Sequence, residues 1–349
     1  MPKTLFTTLR DELQLPEKKI EFFINFIESI IHKKTVNLDD IAESINAKNK
    51  KESNYRIIQR FFKDFNVCFT YLSKWLMNQL GEGKKLLIID RTQWKEINIF
   101  FLSVELNGVA IPVLWNLLEK KGNTNVLEKK DLLEDYINLF GIENINYLIA
   151  DREFIGKEWF SWLNDLKIKF LIRIKSNFIL ENGIKRSKVK NMFRYYATKE
   201  KIVSLFGIEL KLIGKRINKK DLVITATNNP DLLLSDYSNR WLIENMFACF
   251  KKKGFNLEST KMTDNYKIDK LIGFISITYL WCILTGLHFK HKCSKKRKDN
   301  NYRRKSIFKS GLETLTISIF NKHSFPKEYH KKTSLFHKQY KDSRHFVVV

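Results

Sequence analysis

KKLLIID, residues 84–90, is the stretch on which the fold turns. Upstream of it the apolar residues recur only at helical spacing; from Lys84 onward they come in short, β-branched and aromatic runs. The run ends in Asp90, and Asn98 to Leu106 and Val109 to Leu114 follow as two more strand-like runs. Asn107-Gly108 separates them, a pair suited to the positive φ angles of a two-residue hairpin, so a three-strand meander is expected. Next come a helix from about Asn125 to Phe140, a strand NYLIA running into Asp151, a helix with Trp159, Trp162 and Leu163, and a strand KFLIRI. Strands alternating with helices predict a mixed α/β sheet.

Working upstream, residues 1–80 read as helical. Pro16 suits a first helical position, and Ile20, Phe23, Ile24, Ile27 and Ile31 recur at helical spacing. Asn37 and Asp40 mark another start, before Leu38, Ile41, Ala42 and Ile45; the polar turn AKNKKE follows, and Ser53 is the expected cap of the next helix. That helix buries Ile58, Phe61, Phe62 and Phe65 and leaves Arg56, Arg60 and Lys63 in a row at i, i+4 and i+7. Such a row suits phosphates or guanine edges, which makes the pair a helix-turn-helix candidate; a plain helical hairpin has the same pattern.

Composition narrows the partners. In 349 residues, 63 Lys+Arg against 38 Asp+Glu give a formal charge of +25, an excess that favours a polyanion, nucleic acid first. The four cysteines lack CxxC spacing, no signal peptide is evident, and a reduced cytoplasmic setting is expected. His288, His291 and Cys293 have no second ligand pair at zinc-finger spacing. Leu271 to Phe289 is long enough to cross a bilayer, but its Ser, Thr and Gly content and its isolation favour a buried core helix, so no membrane partner is expected.

Asp90 and Asp151 each follow an apolar strand, where a bare acid seldom lies without a partner. A turn or a helix cap is the structural alternative for each. The segment YSNRWLIENMFACFK, residues 237–251, adds a third acid. On one α-helix Tyr237, Arg240, Glu244 and Lys251 would share an arc of about 60°, with Leu242, Ile243, Met246, Phe247 and Phe250 over much of the rest. An Arg240/Glu244 surface pair alone would be worth only a few tenths of a kcal/mol. Three clustered carboxylates repel one another unless cations bind them, and oxygen-only ligands suit Mg²⁺ or Mn²⁺. Two such ions about 3.5–4 Å apart activate a water or a 3′-hydroxyl and stabilise the leaving oxygen of a phosphodiester.

These residues resemble a known family. Asp90 in IIDRTQWK, Asp151 in LIADREF, and Tyr237-x2-Arg240-x3-Glu244-x6-Lys251 are similar to the signature of DDE transposases of the insertion sequence 4 family. The resemblance covers roughly residues 15–290. It implies a ribonuclease-H-like catalytic core, catalytic and metal-binding roles for Asp90, Asp151 and Glu244 with two Mg²⁺ or Mn²⁺ ions, and DNA contacts from Tyr237, Arg240 and Lys251. It also implies double-stranded DNA at element ends and target as partners, a homodimer in the DNA complex, and a DNA hairpin intermediate.

The expected division is a helical DNA-binding domain at 1–80, a catalytic core at 84–174 and 221–290, a β-rich insertion at 175–220, and a basic C-terminal region at 291–349. The insertion interleaves basic and aromatic residues, among them Phe193-Arg194-Tyr195-Tyr196, as a surface holding a DNA end would. In similar transposases an aromatic residue of such an insertion contacts a flipped base; no Trp lies between Trp162 and Trp241 to fill that role. Lys290 to Lys309 has ten Lys/Arg and one acid, the composition of a DNA-tracking linker or of a solvated tail, and GLETLTISIF after it is a last helix. The expected activity is transposition: end recognition, metal-assisted cleavage and strand transfer by the freed 3′-hydroxyl. A non-catalytic repressor is the alternative, which the intact acids disfavour, and a tyrosine recombinase using Tyr237 lacks the accompanying basic and histidine residues.

Overall fold

The computed structural model describes residues 16–65, 68–182, 185–193, 198–217, 221–289 and 305–320. Arg194, Tyr195, Tyr196, His291, Cys293 and the basic stretch from Lys290 to Arg304 lie outside them. The chain divides into two compact units: Glu82–Phe247, built on a sheet, and a helical unit of Met1–Gly81 with Ala248–Val349. The expected core range 221–290 is therefore shared between two units.

The sheet unit opens with β1 (Lys85–Trp94), β2 (Ile97–Leu106) and β3 (Val109–Leu118), an antiparallel meander. Asn107 and Gly108 both take positive φ, 51° and 82°, as their dipeptide predicts. α5 (Val126–Phe140) starts on a capping box between Asn125 and Glu128. β4 (Ile145–Ala150) then lies parallel to β1, α6 (Lys157–Asp165) buries Trp159, Phe160 and Leu163, and β5 (Phe170–Ile174) lies parallel to β4. β6 (Ile179–Asn182) and β7 (Lys185–Lys188) pair with each other, and α7 (Val189–Met192) follows. β8 (Thr198–Leu205), β9 (Ile208–Arg216) and β10 (Leu222–Thr227) complete a sheet of order β3-β2-β1-β4-β5-β10-β9-β8.

That order revises one expectation. β8 and β9, expected in a separate insertion, extend the main sheet through β10; among the described residues only the β6–β7 ribbon stands apart. Gly214 in β9 explains part of the packing, since a Cβ there would lie 2.3 Å from the buried Phe193 ring, and a larger residue would displace it.

The helical unit begins with α1 (Glu17–Lys33), α2 (Leu38–Ala42), α3 (Lys51–Asp64) and α4 (Phe69–Asn78). Asn37 caps α2 by accepting from Asp39 N, as expected; Ser53 lies inside α3, which starts two residues earlier. α9 (Asn265–His288) is capped by Asp264 and is the long apolar helix foreseen at Leu271–Phe289. It meets the length and composition of a membrane span, yet 78% of its apolar window is buried within the protein. Phe274 of α9 packs against Phe23, Phe26, Phe61, Phe62 and Phe65, so one aromatic cluster joins α1, α3 and α9. α10 (Ile307–Phe320) lies close against α9: a Cβ on Gly311 would stand 1.7 Å from the Cys282 carbonyl oxygen.

Candidate active site

Strand pairing brings the first two acids together. β1 and β4 run parallel with Ile89 opposite Ala150, so Asp90 and Asp151 each follow a paired residue on adjacent strands. Asp90 is not at the end of its strand, however. β1 runs on to Trp94 against β2, with Asp90 opposite Phe101, and only its pairing with β4 stops before Asp90. The acid thus sits where two parallel strands diverge, a place that leaves its carboxylate 15% exposed.

The third acid comes from the segment that follows β10, and that segment is not a single α-helix. Residues Asp236–Arg240 form a 3-10 turn, α8 (Trp241–Ala248) follows, and Cys249–Lys253 form a π-helical turn. Leu233 N donates to Asp236 Oδ2 at 2.8 Å, which secures the entry. At the exit, Gly254 and Phe255 both donate to the Cys249 carbonyl, and Phe255 is buried against Phe250 and Phe308; the widened turn gives Phe255 that place. The single α-helix expected from Tyr237 to Lys251 is therefore corrected to a 3-10, α and π succession; Tyr237, Arg240 and Glu244 are in the sheet unit, and Lys251 is in the helical unit, pairing there with Glu258 at 3.5 Å.

Within the sheet unit α8 is fixed on β2 by Met246, whose sulfur accepts from Ser103 Oγ at 3.6 Å, and by Phe247 against Phe101. That packing places three side chains over the aspartates. Tyr237 donates its hydroxyl to Asp151 Oδ1 at 3.3 Å. Arg240 Nη1 donates to Glu244 Oε1 at 2.6 Å and lies 3.7 Å from Asp90 Oδ2. One guanidinium therefore links the first acid to the third, and its Nε is buried with no partner among the described residues.

Burial dominates the electrostatics. It pushes the Asp90 carboxyl up to about 7; the Arg91 backbone donor and the Arg240 charge oppose that shift, and Glu153 and Asp151 add to it. Tyr237 is raised far above the ordinary phenol range, first by burial and then by Asp151, so it is a protonated donor at neutral pH. A phenolate nucleophile, which a tyrosine recombinase would need, is the disfavoured form here.

The structure adds a pair that sequence reasoning missed. Arg91 reaches Glu153 from both Nε and Nη2, at 3.4 and 3.3 Å, and donates through Nη1 to Gln93 and Asn98, at 3.1 Å each. Asn98, itself buried, donates to the Lys120 and Gly122 carbonyls. The signal was present in the sequence: each aspartate is followed within two residues by a charge that a part-buried position must satisfy, Arg91 in β1 after Asp90 and Glu153 in the 3-10 turn after Asp151.

The donor set is all oxygen, as a hard divalent cation requires, and Asp90 is an acid whose burial, with Glu153 and Asp151 nearby, makes its ionised form costly without a cation. Asp90 and Asp151 fit such an ion by this test. In the conformation described, no three His, Cys, Asp or Glu side chains among the described residues converge as a ligand group, and Glu244 is engaged by Arg240. Glu244 would join only by exchanging that partner.

Residues 113–281 match the family model of the transposase DDE domain. The matched segment contains Asp151, Tyr237, Arg240, Glu244 and Lys251, and Asp90 lies before it. A curated protein from Vairimorpha ceranae (strain BRL01), described as a probable phenylalanine–tRNA ligase beta subunit, is 27% identical over 138 residues, 36% of this chain and 27% of that protein. The chain thus spans about a quarter of that relative's length. Among solved structures, the cryo-EM structure of a piggyBac transposase synaptic complex with hairpin DNA aligns at TM-score 0.48 and 12% identity, covering 92% of this chain and 76% of that one.

Proposed function

We propose that the chain is a DDE transposase of the insertion sequence 4 type, with a ribonuclease-H-like core whose acids Asp90, Asp151 and Glu244 hold divalent Mg²⁺ or Mn²⁺. The observation that carries this reading is the placement of Asp90 and Asp151 side by side where β1 and β4 diverge, with Glu244 tied to Asp90 through Arg240. The match of residues 113–281 to the transposase DDE domain supports the same chemistry. Its substrates are duplex DNA at element ends and target DNA, and joining two ends calls for two copies of the chain; a hairpin intermediate is part of the proposal.

Bound divalent metal would activate a water or a 3′-hydroxyl and stabilise the leaving oxygen at a phosphodiester. The protein's own groups do the rest. Tyr237 stays protonated and donates to one Asp151 oxygen. Arg240 shares one nitrogen between Glu244 and Asp90, so a single cation holds the first and third acids. Arg91 and Glu153 fix the turn after Asp151 against β1, so both aspartates are held by packed neighbours. Lys251 is proposed as a phosphate ligand, in exchange for its Glu258 pair.

Incubating the full chain with DNA flanking its gene, with and without Mg²⁺, tests the proposal. Metal-dependent cleavage at the element ends is expected. Tight binding to those ends without cleavage under any divalent cation would overturn it in favour of a repressor.

A further inference from the structure

Within the helical unit a groove of ≈ 730 Å³ runs between α3 and the chain that enters α9. One wall carries Arg56, Arg60 and Lys63, the row legible in the sequence; the other carries Lys261 and Lys267, to which the proposed function gives no role. We propose that these five cations form a single phosphate-binding groove for duplex DNA, so that the segment from Thr260 to Lys267 grips DNA together with α3. The proposal rests on the DNA-binding reading above and adds a second, separate segment to it.

Two observations make the walls one body. Lys270 of α9, itself buried, donates to the Phe62 carbonyl in the last turn of α3 at 2.6 Å, satisfying a carbonyl that the helix end would leave open. One turn further along, Phe274 packs into the aromatic cluster with Phe61, Phe62 and Phe65 of the α3 side. The spacing between the two basic rows is therefore set by the core, and binding need not order either wall.

Charge decides the class of occupant. The acids lining the groove are Asp39 and Asp264. Asp39 is engaged by Lys51 at 2.8 Å, and Asp264 by Lys267 at 3.7 Å while it caps α9. Nearby Glu43 is held by Lys33 and Lys51. Arg56, Lys63 and Lys261 make no salt bridge among the described residues, and all three are exposed. Cations without acid partners on two fixed walls favour a polyphosphate backbone. Between them Gln59 is exposed on the same face of α3, a side chain able to pair with an adenine edge.

The test measures binding of the full chain to a random-sequence DNA duplex across a series of KCl concentrations. Lys261→Ala with Lys267→Ala should lower the slope of log K against log salt by about 0.9 for each phosphate that is no longer neutralised, roughly 1–2 in all. Lys261→Arg with Lys267→Arg should keep the wild-type slope, and Lys18→Ala with Lys19→Ala, on exposed positions of α1 away from the groove, should leave it unchanged. Unfolding temperatures of all variants establish that they are folded. An unchanged slope for the Lys261/Lys267 alanine variant, an equal fall in the α1 control, or tighter binding of an RNA duplex of the same length would each overturn the groove. Cleavage is read separately: a chain that binds through the groove but never cuts fails the transposase reading alone, and one that cuts with an unchanged slope fails the groove alone.

Discussion

The acids of the sheet unit and the cations of the helical unit are held in opposite ways. Asp90 is 15% exposed and sits among other acids, and Arg240, 6% exposed, is its nearest cation. Arg56 and Lys63 project from α3 with no salt bridge among the described residues. Burial makes an uncompensated carboxylate unfavourable, and that penalty is the condition for binding a divalent cation strongly. Exposure lets a lysine or arginine stay charged without a partner and leaves it open to screening by salt. Substitutions at the first kind of site should therefore change chemistry by orders of magnitude, and at the second should change salt dependence and affinity by small, additive steps.

The sharpest way to break that contrast is at the acids. Asp90→Asn, Asp151→Asn or Glu244→Gln should each lower cleavage of an element end by on the order of 10³-fold, the scale of removing one charge-stabilising group from a transition state. DNA affinity should stay near wild type. Near-normal single-turnover cleavage by any one of them would remove that residue from the site. Arg240→Ala and Lys251→Ala should each cost on the order of 10²-fold if they position a phosphate. If Lys251 only pairs with Glu258, which is 35% exposed, its loss should leave the rate intact and change stability by less than about 1 kcal/mol.

Asp90 also gives the contrast a pH signature. Its folded-state carboxyl is raised to about 7 by burial, so the folded protein binds a proton that the unfolded chain releases near pH 4. Stability contributed by the protonated acid is complete below about pH 4 and is lost as pH rises through about 7, a span worth on the order of 2–4 kcal/mol. Asp90→Asn should accordingly unfold at a higher temperature than wild type at pH 8, and the difference should close at pH 4. A constant difference across that range, followed by thermal unfolding without divalent cations, would show that burial does not govern this carboxylate.

How much of this was legible in the sequence depends on whether local pattern or tertiary packing decided the outcome. The meander, the Asn107-Gly108 turn, the helix from about Asn125 and the placing of Asp90 and Asp151 after apolar runs follow from alternation and turn chemistry, which are local; their adjacency comes from the parallel pairing of β1 with β4. The path of β8 and β9 into the main sheet depends on β10 pairing with β5 on one edge and β9 on the other, a choice made by long-range pairing that no spacing in residues 175–220 reveals. The π-helical turn at Cys249–Lys253, with Phe255 buried at its exit, breaks the uniform helical period from which the sequence reading placed Lys251. The Arg91–Glu153 pair was readable as charges beside strand acids, but its partners Asn98 and Asn123 come from elsewhere in the chain.

The central claim is that Asp90 and Asp151 form one oxygen-ligand site for a divalent cation, and calorimetric titration of Mn²⁺ into the DNA-free chain tests it most directly. Wild type should bind Mn²⁺ with release of protons at pH 7, since Asp90 is partly protonated there and must ionise to act as a ligand. Asp90→Asn and Asp151→Asn should each lose that binding while unfolding cooperatively. Undiminished Mn²⁺ binding in both variants would contradict the account.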